Sequence, residues 1–343
     1  LVLEGTLAND EVTWEKDKKL DIGLDMAFFK SRLSAKLDYF NNNRYDIITN
    51  RGTISSVFGQ GLPLVNIGRT NNRGFEAELS FRDNISKDWN YSIQGTYSLA
   101  KNKITFADEA VQMFPYQQLT GQAINSQLKY SWTGEFYTAA DIADASVPKV
   151  TNSRPGDLKY KDLNGDGVIN DSDKSYFGYT NLPNTIVGLT LGAGYKNFRF
   201  TVLFQGALNF VASAQGAVIH HNASNQLPIH QQHWTPELGN NAKYPQLYTS
   251  ALSQSPRDYY SDFWAIPGDY VRLKTTELSY TAGPKLLSKL KLKGLRLYTN
   301  GYNLITFTKL DRLYNLDPEI LESSADLPYP PTRIFNMGVN VTF

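Results

Sequence analysis

The segment "DLNGDGVINDSD" spaces oxygen-bearing groups as a wrapped ion would need them. Asp162, Asn164 and Asp166 stand at positions one, three and five, Gly167 at six, the Val168 carbonyl at seven, Asn170 at nine and Asp173 at twelve. Calcium takes about six to eight hard oxygen ligands, and a glycine at the sixth position permits the sharp turn that closes them around one ion. Asp, Asn and Gly also fill metal-free turns, so an Asx-rich turn is the competing reading. The flanks "GDLKYK" and "SYFGYTNLP" lack a long amphipathic period. A bound Ca2+ would therefore brace a loop rather than move a helix pair, and a braced loop offers a fixed surface to a ligand or partner.

Other groups with chemical potential lie elsewhere. All four histidines, His220, His221, His230 and His233, fall in one stretch. They suit zinc or copper by type, although loop histidines more commonly make hydrogen bonds. Asp317 and Glu319 flank Pro318, and the reading favoured for them is a turn or hydrogen-bonding role over a general acid and base. No G-x-S-x-G, H-E-x-x-H or Walker pattern is present, so the sequence gives no sign of an enzyme. Trp132, Phe136, Trp234, Tyr259, Tyr260 and Trp264 sit among Asp, Ser, Thr and Glu, a mixture able to stack on sugar rings and bond their hydroxyls. The same rings could instead pack the loops together or against a partner.

These groups must be held by the rest of the chain. It has 343 residues, 34 basic and 33 acidic, and no cysteine. The balance gives no reason to expect a nucleic-acid partner, and the missing cysteine excludes disulfides and thiolate sites. Mean hydropathy is −0.39 while aromatics reach 13%, as expected where apolar residues occupy only alternate positions. No apolar run approaches the length of a membrane helix.

Alternation is the dominant pattern. At the carboxyl end, Phe335, Met337, Val339, Val341 and Phe343 oppose Asn336, Gly338, Asn340 and Thr342. Side chains on a strand alternate between faces, so this is a ribbon with one oily and one wet side. Similar rows run through 20–28, 33–39, 75–81, 89–99, 187–195 and 198–210, with weaker ones at about 270–281 and 291–304, making nine strands. Short links alternate with long segments near 49–71, 102–185, 212–269 and 305–332. A transmembrane antiparallel β-barrel sorts its connections in this way, with tight turns in the periplasm and long extracellular loops. Phe28, Trp89, Tyr91, Tyr195, Phe198, Phe200, Tyr280 and Phe343 lie at short-turn ends, in register with the oily rows, as an interfacial girdle would. Nine strands would leave the ends on opposite sides. The expectation is that 1–343 forms the C-terminal portion of a larger barrel, with upstream strands outside it and the carboxyl terminus in the periplasm.

Several stretches resemble the C-terminal third of SusC/RagA-type TonB-dependent transporters. They are "TWEK" from Thr13, "NIGRTNNRGFEAEL" from Asn66, "GDLKYKDLNGDGVIND" from Gly156, "HWTPE" from His233, "YVRLKTTELSY" from Tyr270, "YNLITFTK" from Tyr302 and "DPE" from Asp317. The resemblance implies an outer-membrane barrel of about twenty-two strands with an N-terminal plug, driven through TonB. It also implies a SusD-type lipoprotein lid and import of a glycan or peptide. Two alternatives compete: a soluble, calcium-braced glycan-binding β-protein, whose oily rows would pack on each other, and an outer-membrane hydrolase.

Overall fold

The computed structural model describes residues 5, 7–54, 57, 61–178, 180–213, 227–247, 261–310, 314, 316–319 and 331–343. The strands in chain order are β1 (Lys16–Phe28), β2 (Leu33–Thr49), β3 (Val65–Asn84), β4 (Trp89–Phe106), β5 (Leu128–Tyr130), β6 (Trp132–Phe136), β7 (Leu158–Tyr160) and β8 (Lys174–Tyr176). They continue with β9 (Thr185–Tyr195), β10 (Phe198–Leu208), β11 (Val211–Ser213), β12 (Ala265–Pro267), β13 (Tyr270–Thr281), β14 (Gly294–Thr308) and β15 (Ile334–Thr342). Nine of them form one sheet in the order β1-β2-β3-β4-β9-β10-β13-β14-β15, and every adjacent pair is antiparallel. These are the nine strands expected from the alternation.

Register carries each oily row into the next. Leu24 lies opposite Leu37, Leu37 opposite Ala77, Phe81 opposite Ile93, Leu191 opposite Val202, Phe200 opposite Leu278, and Leu297 opposite Val339. The resulting apolar face is bare: Ile22, Leu79, Leu278, Leu297 and Val339 are all exposed, Val339 at 60% and Met337 at 89%. A water-soluble sandwich would bury such a face against a second sheet. At the short-turn end the row becomes aromatic. Trp89 sits on Tyr195 with ring centroids 4.5 Å apart, and Phe198 on Tyr280 at 4.9 Å. This is the arrangement expected of an interfacial girdle.

The opposite face is polar. Gln94 Nε2 donates to Glu78 Oε1 (3.1 Å), the Ser98 hydroxyl to Glu76 Oε1 (3.0 Å), and Arg296 pairs with Glu277. Where a ring must cross this face, the facing strand offers glycine. Tyr298 lies over Gly338, and a Cβ built there would stand 2.2 Å from the ring. Gly338→Val should therefore cost about 1 to 3 kcal/mol, measured as lost resistance of the folded band to heat in SDS gels. An unchanged transition would show that Tyr298 has free space to turn away.

Four links are short, at 29–32, 85–88, 196–197 and 282–293, the last holding the helix Pro284–Leu290. All four lie at one end of the sheet. The described residues of the long segments 50–64, 107–184, 209–269 and 309–333 lie at the other. β3 begins at Val65, so the last seven residues of the segment expected to be loop are strand, and β4 runs on to Phe106.

Candidate functional site: a folded domain built from the long loops

The three largest connections share one hydrophobic core. Tyr130, Phe136, Leu158, Tyr160 and Ile169 come from the segment after β4, Leu227, Ile229, Trp234, Tyr244 and Trp264 from the segment after β10, and Leu310 and Leu316 from the segment after β14. Polar stitches cross between them. Asp262 Oδ1 accepts from Trp132 N (2.7 Å), Asn240 Oδ1 accepts from Phe136 N (2.8 Å), and Gly156 O accepts from Gln246 N (2.9 Å). Burial raises the Asp262 carboxyl above the usual aspartate range, with the Trp132 amide working against that shift.

This core decides what several candidate rings do. Phe136 and Trp264 are about 1% exposed, Trp234 is buried, and Trp132 packs edge-on against Phe263 at 4.9 Å while its indole N–H donates to Glu135 O. Phe136, Trp234 and Trp264 are therefore packing groups and present no free face for a sugar. Tyr259 and Tyr260 lie outside the described residues. His230 accepts from Leu227 N through Nδ1 (3.0 Å) and packs on Tyr244, and His233 Nδ1 bonds the His230 carbonyl (2.8 Å). His220 and His221 also lie outside the described residues.

The twelve-residue loop folds on itself before any ion is considered. Asp162 accepts from Gly165 N (2.7 Å) and Gly167 N (2.8 Å), Asp166 Oδ1 from Val168 N (2.8 Å), and Asn170 Oδ1 from Ser172 N (2.8 Å). Gly167 has φ +82°, a conformation that favours glycine, at the position where a calcium loop requires it. Ile169 plugs the loop into the shared core. Asp173, with 0% exposure, accepts from Leu163 N and Asn170 N at 2.8 Å each.

Asp162, Asp166 and Asp173 have no basic ion-pair partner among the described residues. Burial and then the charges of Asp173, Asp162 and Asp166 raise the Tyr116 phenol. That uncompensated charge fits a hard cation. Closure is incomplete, because Asn164 Nδ2 donates to Asp166 Oδ2 (2.8 Å) and no three acidic or histidine groups among the described residues stand at metal-holding separations. The Asn164 amide would have to turn away from Asp166 to complete an oxygen shell.

Asp317 and Glu319 are hydrogen-bonding residues, as favoured from the sequence, and their partner is Arg272. This side chain on β13 is 1% exposed; Nη2 donates to Asp317 (2.7 and 2.8 Å) and Nη1 to Glu319 Oε2 (3.2 Å). Lys274 Nζ and the Tyr270 hydroxyl also donate to Glu319, each at 3.1 Å. A register shift between Leu273 and Thr275 moves the polar face of β13 from even residues before it to odd residues after it, which turns Arg272 inward beneath the loop. The segment after β14 is thereby latched to the sheet. Below the loops, the polar face holds a cavity of about 750 Å3 lined by Asn42, Arg44, Thr70, Asn72, Asn102 and Asn184.

An antiparallel sheet with a bare oily face, an aromatic rim, a polar inner face and long connections at one end is the wall of a transmembrane β-barrel. The chain belongs to the TonB dependent receptor-like, beta-barrel family, whose model matches residues 3–304. It is 29% identical to TonB-dependent receptor P3 of Formosa agariphila over 98% of this chain and 35% of that protein. It is 23% identical to TonB-dependent receptor SusC of Bacteroides thetaiotaomicron over 98% of this chain and 32% of that protein. Among solved structures, the RagAB peptide transporter superimposes with a TM-score of 0.71 at 19% identity, covering 98% of this chain and 36% of the other. In its "open-open" state the RagAB peptide importer gives a TM-score of 0.72 at 19% identity over 99% and 36%. The chain thus spans about a third of the length of the relatives it matches.

Proposed function

We propose that this chain is the C-terminal barrel wall and outer loop domain of a TonB-dependent importer that carries a glycan or peptide across the outer membrane. The observation that carries the reading is the pairing of a bare lipid-type face with a polar inner face that leads to a folded loop domain at one end only. The outer membrane has no local ATP, so inward movement of a large solute draws on work delivered through TonB to a plug upstream of these strands. The short-turn end and the carboxyl terminus face the periplasm. The loop domain offers a rigid platform to a SusD-type lipoprotein lid, and rigidity lowers the ordering cost of docking. SusC and RagAB support this by family and fold. Deleting the gene that encodes the full-length protein should abolish growth on its polymer substrate in a screen of glycans and peptides, and the intact gene should restore it. Undiminished growth on every polymer the parent strain uses would defeat the reading.

In the same reading, Asp162, Asn164, Asp166, the Val168 carbonyl, Asn170 and Asp173 hold Ca2+, which supplies the positive charge that three carboxylates lack. Chelation of calcium should speed proteolytic cleavage within 107–184 by roughly tenfold or more, an effect of about 1.4 kcal/mol or above on local opening. Asp162→Ala with Asp166→Ala should show the fast rate with or without chelator. Identical cleavage of the parent protein in calcium and in chelator would remove the ion from the account.

A further inference from the structure

The rim formed by the short links differs in charge from the rest of the chain. The links at 29–32, 85–88, 196–197 and 282–293 contain two, one, one and four basic residues respectively, against the single acid Asp88. The whole chain is only +1, so the remainder is net acidic. In the longest link, Lys285, Lys289, Lys291 and Lys293 have no ion-pair partner among the described residues.

Large apolar side chains are interleaved with these cations and point into open space. Phe29 and Ile85 are 72% and 73% exposed, and Leu286 and Leu290 are also exposed. On the helix Pro284–Leu290, Leu286 and Leu290 stand one turn apart on one stripe, and Lys285 and Lys289 on the neighbouring one. The oily face begins immediately beside this helix. There Phe198, Leu278, Tyr280, Leu297, Met337 and Val339 line an open groove of about 490 Å3.

Basic residues mixed with exposed Leu, Ile and Phe at the edge of a hydrocarbon belt match a bilayer interface with anionic headgroups, where apolar tips enter the acyl boundary and lysines reach phosphate. A soluble acidic protein partner would account for the lysines but not for the apolar tips continuous with the lipid face. We propose that this rim binds anionic glycerophospholipid, with Ala282–Lys293 as the principal contact and the groove beside Tyr280 receiving an acyl chain. The inference rests on the barrel fold and is independent of the transported solute.

Native mass spectrometry of the full-length protein, exchanged into mixtures of phosphatidylglycerol, phosphatidylcholine and lipid A, provides the test. Phosphatidylglycerol should be retained preferentially, and salt raised from about 0.1 to about 1 M before analysis should erase the preference. Each interfacial lysine contributes about fivefold. The combined variant Lys285→Gln, Lys289→Gln, Lys291→Gln, Lys293→Gln should therefore lose at least tenfold of the preference while keeping its heat-modifiable gel shift. Lys101→Gln with Lys103→Gln, at the opposite end of β4, should keep it. Equal retention of phosphatidylcholine and phosphatidylglycerol by the parent protein would overturn the proposal. So would preference for lipid A, a salt-insensitive preference, or equal losses in the two variants. If the four-lysine variant does not fold, the lipid and salt comparisons on the parent protein decide alone.

Discussion

Arg272→Ala is expected to cost about 3 to 5 kcal/mol and to release the segment after β14 from the barrel wall. Removing one partner of a buried ion pair leaves the other charges uncompensated, and that penalty exceeds the net worth of the intact pair. Here one guanidinium serves two carboxylates, Asp317 through Nη2 and Glu319 through Nη1. Arg272→Lys should recover only part of the loss, because an ammonium is a single point and cannot fork between two acids. Hydrogen exchange at 309–319 in the full-length protein is the readout, with faster exchange there and little change in β1 to β3. The combined variant Arg272→Met, Asp317→Asn, Glu319→Gln should be less destabilised than Arg272→Ala, since it removes the stranded charges as well. Additive losses would show that the latch is packing and not charge.

The second large effect concerns the opposite face. Val339 lies opposite Leu297 and is 60% exposed. A guanidinium placed there, on the face that meets hydrocarbon, should cost up to about 2 to 4 kcal/mol of stability in a bilayer, the value reached at the midplane. Asn340, its neighbour on the polar face, should accept Arg at well under half that cost. Urea unfolding from lipid vesicles measures both. Equal costs at 339 and 340 would mean that the two faces see the same surroundings.

The expectation at Val339 follows from a pattern that is largely legible in the sequence, within limits set by physics. The rows at Leu20, Leu33, Phe75 and Phe335 were visible because one face meets oil and the other water, which forces strict alternation. Val65 to Asn71 extend β3 into the expected loop because both faces there are wet, so Thr70 and Asn71 carry no contrast that marks a strand. The loop domain was hidden for a different reason. Its core joins residues more than a hundred positions apart, such as Phe136 with Phe263 and Trp132 with Phe263, and no period records such contacts. Rings that suited sugar stacking by composition, Phe136 and Trp264 above all, are thereby used up in packing. Asp317 and Glu319 stand out as a pair in the sequence, but the inward turn of Arg272 depends on the register shift beside Lys274, which the residues of β13 alone do not announce.

The segment from Asp162 to Asp173 is intermediate. Its spacing, and the glycine at the sixth position, were plain in the sequence, and the structure adds the inserted Ile169 and the uncompensated charge around Asp173. The amide of Asn164 turned toward Asp166 is a detail that spacing does not carry.

The proposition beneath the whole account is that hydrocarbon covers one face of these strands and water the other. The 343 residues contain no cysteine, so a single cysteine can be placed at each position from 335 to 342 of the full-length protein in lipid nanodiscs and spin-labelled. Collision with dissolved oxygen should be high at 335, 337, 339 and 341, and collision with a water-soluble nickel chelate should be high at 336, 338, 340 and 342. A smooth profile with no alternation between neighbours, or chelate access at Val339 equal to that at Asn340, would contradict the membrane assignment and the import function built on it.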